Sequence, residues 1–362
     1  CPNCHLEVPR VAYEYPPFFV SVVGAPGCGK SFFLPAMTWR LRTLLPKQFG
    51  LEFVDADPIF NLRLHDYETR LFRNPNNDEL TQLEKTQPKA GQAGLYDSVW
   101  MGGEEIEWPR PFVFRMQVSD RHPGIKDRAA TGRSVYFYDN AGESFQPNET
   151  RLAHHTAHLG HSHLTLFLFD PSQESSFREA CRGRSRDPQM QPRNRATARE
   201  AGISQTQTLI TAASRMKRLR DLREDEKHSG PLVVVVTKLD AWAGLLDDAK
   251  SLLATPLLTP PSAGGLQGLH AAGVQKVSRA VRGVLENHAE DLVRAAEGGW
   301  SDITYIACSA TGNNVEPLDE SAGVHGIRPR DVRPIWCEMP FLIGLARNKL
   351  PVSFDGTPAS RG

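Results

Sequence analysis

Short runs of consecutive apolar residues alternate along the chain with longer stretches in which apolar residues recur every three or four positions. This is the pattern of buried strands joined by amphipathic helices. Phe18 to Val23 reads as the first buried strand, and Phe33, Met37, Leu41 and Leu44 mark a helix from about Lys30 to Leu45. Pro46 is expected to stop that helix and Pro35 to kink it by removing a donor. Leu51 to Val54 is a short apolar run, after which residues 55–109 are polar and punctuated by Pro, Asn and Gly, with helical spacing only in Leu62 to Phe72. A connection of that length is usually functional or mobile. Phe112 to Val118 and Ser134 to Tyr138 read as an antiparallel strand pair. A histidine-rich helix with His154, His155, His158, His161 and His163 follows, then the strand Leu164 to Phe169. A helix is expected over Gln205 to Lys227, with Leu209, Ala213, Met216 and Leu219 on one face. Pro231 to Val236 is a continuous apolar run with four β-branched residues, Val233 to Val236, as in a central parallel strand. One long helix is then expected to carry Val274, Val277, Val281, Leu285, His288 and Leu292, with His288 at the edge of the core. Ile303 to Cys308 is the last strand, followed by a helix over Pro334 to Asn348 and a Gly/Pro tail.

Composition adds few limits. At 362 residues the chain can bury a full core. Lys plus Arg and Asp plus Glu both number 42, so no global field points to nucleic acid or an anionic membrane. No apolar run approaches the ~20 residues of a membrane span, and there is no signal-peptide pattern; a cytoplasmic location is the expectation. Six scattered cysteines suit a reducing compartment better than a disulfide framework.

The chemistry concentrates where strands end. VVGAPGCGKS, residues 22–31, fits G-x-x-x-x-G-K-[ST] between a strand and a helix. Its glycines let the backbone turn several N–H groups toward one anion, Lys30 supplies a charge for the β- and γ-phosphates, and the Ser31 hydroxyl is placed for Mg²⁺. The same pattern also describes a glycine-rich turn without a ligand. DNAGE, residues 139–143, offers the Asp139 carboxylate to a Mg²⁺ shell and the Gly142 N–H to a γ-phosphate. TKLD, residues 237–240, ends a buried strand, where α/β sheets bind ligands. TKLD resembles the [NT]-K-x-D turn of guanine-nucleotide proteins, in which the lysine stem lies along the base and the carboxylate accepts from the ring N1–H and exocyclic amine, a donor pair adenine lacks; the resemblance implies those roles for Lys238 and Asp240. Ser309, Ala310 and Thr311 form the kind of tight turn whose N–H meets the guanine oxygen.

Three weaker features stand apart. Cys1-x-x-Cys4 has the spacing of one zinc knuckle, half of a tetrahedral site whose other half is expected upstream or on another chain; a pair of free thiols at a frayed end is the plainer reading. His154 and His158 share a helix face, but a solvated helix is expected rather than a metal site. The stretch 172–201 carries seven arginines among Ser, Pro and Gln, as a solvated loop, a phosphate-reaching arginine or a docking surface for an acidic partner would.

GAPGCGKS, DNAGE, TKLD and CSAT occur in the order and strand context of the translation-factor and Ras-like class of P-loop GTPases, which the chain resembles from Val20 to Thr311. The knuckle at the start, the long insert, and the DNAGE and FDPS strand ends further resemble the bacterial double-GTPase family of conflict systems. The resemblance implies Lys30 on phosphate, Ser31 and a switch threonine on Mg²⁺, Asp139 in the outer shell of that ion, Gly142 at the γ-phosphate, Asp240 on guanine and Ala310 at the base. It also implies a second GTPase or an effector as partner. Thr86, in LEKTQ, is preferred as the switch threonine over Thr69 and Thr81. Three departures stand out. Glu143 replaces the glutamine that orients the attacking water, so hydrolysis is expected to be slow or partner-dependent. Pro26 replaces a frequent glycine, and Gly27 lacks the asparagine of potassium-activated relatives.

The resulting expectation is an α/β P-loop NTPase three-layer sandwich, its sheet mainly parallel with one antiparallel strand pair. A zinc-knuckle remnant spans 1–10, a GTPase domain 11–350 with a switch insert at about 55–109 and an Arg-rich loop at about 172–201, and a tail 351–362. GTP or GDP with Mg²⁺ is expected on Gly24, Ala25, Pro26, Gly27, Cys28, Gly29, Lys30, Ser31, Phe32, Thr237, Lys238, Asp240, Ser309, Ala310 and Thr311. Catalysis is expected from Lys30, Thr86, Gly142 and Glu143, metal on Ser31, Thr86 and Asp139, and Zn²⁺ on Cys1 and Cys4 only if an upstream knuckle exists. The alternatives are a nucleotide-binding scaffold that does not turn over and an ATP-dependent motor or kinase; TKLD argues against the latter.

Overall fold

The chain's apolar runs assemble into one seven-stranded sheet in a computed structural model that describes residues 6–83, 96–101, 104–139, 142–145, 154–191, 204–319 and 324–356. Its strands are β1 (Pro17–Gly24), β2 (Leu51–Asp55), β3 (Phe112–Val118), β4 (Arg133–Asp139), β5 (Leu164–Phe169), β6 (Leu232–Val236) and β7 (Ile303–Ala307). Across the sheet they lie in the order β2-β3-β4-β1-β5-β6-β7. β1 pairs parallel with β4 and β5, and β6 continues parallel to β5 and β7. β3 alone runs the other way, antiparallel to both β4 and β2. The expected single antiparallel pair is therefore two, because Leu51–Asp55 joins the sheet as an edge strand beside β3. Two small hairpins, Tyr96–Met101 with Glu104–Pro109 and Glu316–Asp319 with Val324–Gly326, stand outside it.

Helices cover both faces, because β5 and β6 are buried at every position. The main ones are α1 (Lys30–Leu44), α2 (Leu62–Phe72), α3 (Gln205–Leu219), α4 (Ala271–His288), α5 (Glu290–Gly299) and α6 (Met339–Arg347). Neighbouring strand residues point to opposite faces. Gly344 of α6 presses on Leu164, and Met216 of α3 touches the Thr165 hydroxyl at 3.9 Å, so these two helices flank the sheet from opposite sides. Aromatic pairs fill the α6 side, with Phe53 stacked on Phe114 at 4.5 Å and Phe341 against Phe137 at 5.2 Å.

Several element ends differ from the periodicity. The chain does not straighten at Pro46: a π turn, Leu45–Phe49, keeps Leu45 and Phe49 in the core and ends at Gly50 with φ +63°. α3 stops at Leu219 rather than Lys227, closed by Asp221 at φ +51° and by the Leu222 N–H to Lys217 and Asp221 N–H to Arg218 bonds of a helix C-terminal lock. The single long helix is two, broken at Ala289. The last helix begins at Met339, because Trp336 sits at φ +55°. The histidine stretch is a 3₁₀ helix, His154–His161, and is not solvated, since His155 and His158 are buried. Nor is the Arg-rich stretch a plain loop: Ser175–Ala180 is helical, and Phe177 and Met190 are buried. Residues 351–356 pack back onto Leu269, with Val352 buried.

β1 is where the strand order reverses, with β4 on one side and β5 on the other. The C-terminal ends of β1, β4, β5, β6 and β7 share one edge, the edge at which open α/β sheets bind ligands, and Gly24 lies on it. Among the described residues, no helix is long and apolar enough to cross a membrane.

Candidate functional site

Gly24 ends β1 and cannot carry a side chain: a Cβ there would stand 2.6 Å from Cys28 Sγ and 2.8 Å from the Leu168 carbonyl. The turn that follows needs left-handed backbone at Gly27, φ +72°, and Gly29, φ +99°. Lys30, 6 % exposed, opens α1 and folds back over the turn; its Nζ donates to the carbonyls of Gly24 at 2.8 Å and Ala25 at 3.2 Å. Gln173 Nε2 donates to the Pro26 carbonyl at 3.0 Å, and Thr237 Oγ1 to that of Cys28 at 3.3 Å, so the ends of β5 and β6 hold the turn from outside. A turn of this kind, leading into a helix N-terminus with an ammonium inside it, has the donors that an anion would need.

On the neighbouring strand, Asp139 stands opposite Val22, and its buried carboxylate acts on Cys28 and on Tyr67. Gly142 comes closer still. A Cβ on it would overlap the Pro26 nitrogen and lie 2.6 Å from the Ala25 carbonyl carbon. The segment Gly142–Phe145 is pinned from α3 by Arg215, which donates to the Ser144 carbonyl and to Thr156 Oγ1 at 3.2 Å and lies over the Phe145 ring.

The far end of this sheet edge is polar. Lys238, left-handed at φ +55°, donates to Asp170 Oδ2 at 2.7 Å and Ser172 Oγ at 2.8 Å; Asp170, just past β5, is 1 % exposed. Trp242 Nε1 donates to the Thr237 carbonyl at 2.8 Å and ties down the start of TKLD. Burial pushes the Asp240 carboxyl up, against a hydrogen bond from the Ser309 hydroxyl that pulls it down. Its Oδ1 is buried without a hydrogen-bond partner. Ser309 Oγ accepts the Gly312 N–H at 2.7 Å, and a backbone bridge from Ser309 to Ile335 supports the turn through Ala310 and Thr311.

The fold thus brings Gly24 to Ser31, Asp139, Gly142, Thr237 to Asp240 and Ser309 to Thr311 to one edge of the sheet. Thr86, Cys1 and Cys4 lie outside the described residues, as does the Glu143 side chain. Of the alternative threonines, Thr69 is exposed on α2, and Thr81 pairs its backbone with Ile327. Among the described residues no cluster of His, Cys, Asp or Glu has metal-holding geometry, and the four described cysteines are free and buried. His158 instead contacts Ser21 Oγ at 2.7 Å, stacks on Tyr138 at 4.4 Å and is held neutral by burial, its pKa lowered to about 3.

Sequence reasoning missed three members of the site. Asp170 was legible as a carboxylate at a strand end, the same signal that marks Asp139. Asp187, 2 % exposed, shares the field of Lys238 and Asp240; burial raises its pKa while it accepts the Gln189 N–H at 2.7 Å. Nothing in the Arg-rich stretch distinguished it. Tyr67 of α2 hydrogen-bonds Ser31, a contact that only the placement of the insert creates. No protein-family model matches the chain, and no curated protein matches it in sequence.

Proposed function

We propose that this chain is a P-loop GTPase domain of the three-layer kind, a switch that binds guanine nucleotide with Mg²⁺ along the C-terminal edge of its sheet and slowly hydrolyses GTP to GDP and phosphate. The observation that carries this reading is Asp240 Oδ1, a buried carboxylate oxygen with no hydrogen-bond partner just past the C-terminal end of β6. An unpaired buried acceptor is costly, and a ligand presenting two adjacent N–H donors removes the cost. Guanine has such a pair and adenine does not. The residues also fit the phosphates: Gly24 and Gly142 leave backbone room that a Cβ would fill, and Lys30 lies inside the turn.

In this reading the turn's N–H groups and Lys30 hold the β- and γ-phosphates, and Ser31 and Asp139 are the groups that would hold Mg²⁺, which supplies charge neutralisation at the phosphates when bound. The Gly142 N–H would report the γ-phosphate to the segment that Arg215 secures. Hydrolysis is slow on this account because a carboxylate at Glu143 opposes the γ-phosphate charge. Titration with labelled GDP, GTP and ATP in Mg²⁺ tests the reading: GDP and GTP should bind and ATP should not. Equal affinity for ATP would overturn it.

A further inference from the structure

The insert helix α2 is locked onto α1. Phe72 stacks on Trp39 at 4.9 Å, and Glu68 accepts from Thr38 Oγ1 at 2.7 Å and pairs with Arg42. Tyr67 is packed with Leu71, Leu83, Ile327 and Val332 in a small core against Phe32. This register sets Tyr67, in the second turn of α2, against the first turn of α1. There the Tyr67 hydroxyl hydrogen-bonds the Ser31 side chain and lies in the field of Asp139. Arg63, one turn earlier, donates from Nε to the same hydroxyl at 2.7 Å and lays its guanidinium 5.3 Å from the Tyr67 ring centroid. A permanently charged guanidinium is thus held one hydrogen-bonded neighbour away from Ser31.

We propose that Arg63 is a phosphate-contacting residue that engages the terminal phosphate of the bound triphosphate, with Tyr67 as its positioning residue. The proposal rests on the guanine-nucleotide reading, because Ser31 marks the β/γ end of the nucleotide only there. Guanidinium suits the role: it cannot lose its charge, and it presents parallel donors to phosphate oxygens.

The test is the ratio of affinities for a non-hydrolysable GTP analogue and for GDP, measured by titration with Mg²⁺ in wild type, Arg63→Ala and Tyr67→Phe. Arg63→Ala should lower the ratio by at least about tenfold while GDP affinity stays within about twofold, since GDP lacks the terminal phosphate. Tyr67→Phe, which keeps the ring and loses the hydroxyl, should lower the ratio less. An unchanged ratio in an Arg63→Ala protein that binds GDP normally would overturn the proposal and leave the GTPase reading standing, and so would equal loss of both affinities. A wild type that binds neither nucleotide would overturn that reading, and this proposal with it.

Discussion

Asp240 is the residue on which the proposed function rests. Its Oδ1 is buried without a hydrogen-bond partner, and burial raises its pKa against the pull of the Ser309 hydroxyl and the Lys238 ammonium, so the ionised carboxylate is only partly compensated and costs stability. Because the folded pKa lies above the unfolded one, this destabilisation is fully present above the folded pKa and is relieved as pH falls through it. Nucleotide binding should show the opposite trend: protonation removes the acceptor, so GTP affinity should fall as pH drops into a range above that of an ordinary Asp. Isothermal titration across the acid range checks the direction. Two charge-assisted bonds are worth ~1.5 to 3 kcal/mol each, so Asp240→Asn should weaken GTP binding by at least about two decades in Kd. The asparagine amide can donate to the carbonyl that xanthine has in place of guanine's amine, and the variant should prefer XTP to GTP. A variant that keeps its GTP preference would remove the base-recognition role.

At the scale of elements, strands were legible and element ends were not. β5 over Leu164–Phe169 and α2 over Leu62–Phe72 follow directly from apolar runs and helical spacing. The ends obey local backbone rules that periodicity does not contain, such as Asp221 and Trp336 in left-handed conformation and the π turn through Pro46. Packing between elements sets further demands. Gly344 lies in the middle of α6, where helix propensity alone would welcome alanine. A Cβ there would run into the Leu164 side chain, which lies 2.8 Å away at Cδ1 and is enclosed by the core. Gly344→Ala should therefore destabilise the protein by about 1–3 kcal/mol, read as a lower urea midpoint. An unchanged or higher midpoint would show that α6 can shift off the sheet.

For the whole molecule, ligand linkage gives the broadest check. Saturation with Mg²⁺ and GDP or GTP should raise the melting temperature, since a ligand at a hundred times its Kd stabilises by about 2.7 kcal/mol, whereas ATP should leave it unchanged. A shift of equal size with ATP would contradict the assigned base end. The chain's own pattern determined that an α/β sheet forms and which of its strand ends bear the candidate residues Gly24, Lys30, Asp139 and Asp240. Such features are local: a buried strand, a tight turn and a carboxylate after a strand are each written within about ten residues. The tertiary structure alone decided that Leu51–Asp55 extends the sheet beyond β3, that Asp170 and Asp187 join Lys238, that His158 is buried against Tyr138, and that α2 brings Arg63 and Tyr67 to Ser31. Those partners lie far apart in the chain. They meet because strands order themselves by long-range pairing and helices settle by shape against buried faces, neither of which leaves a short-range signature.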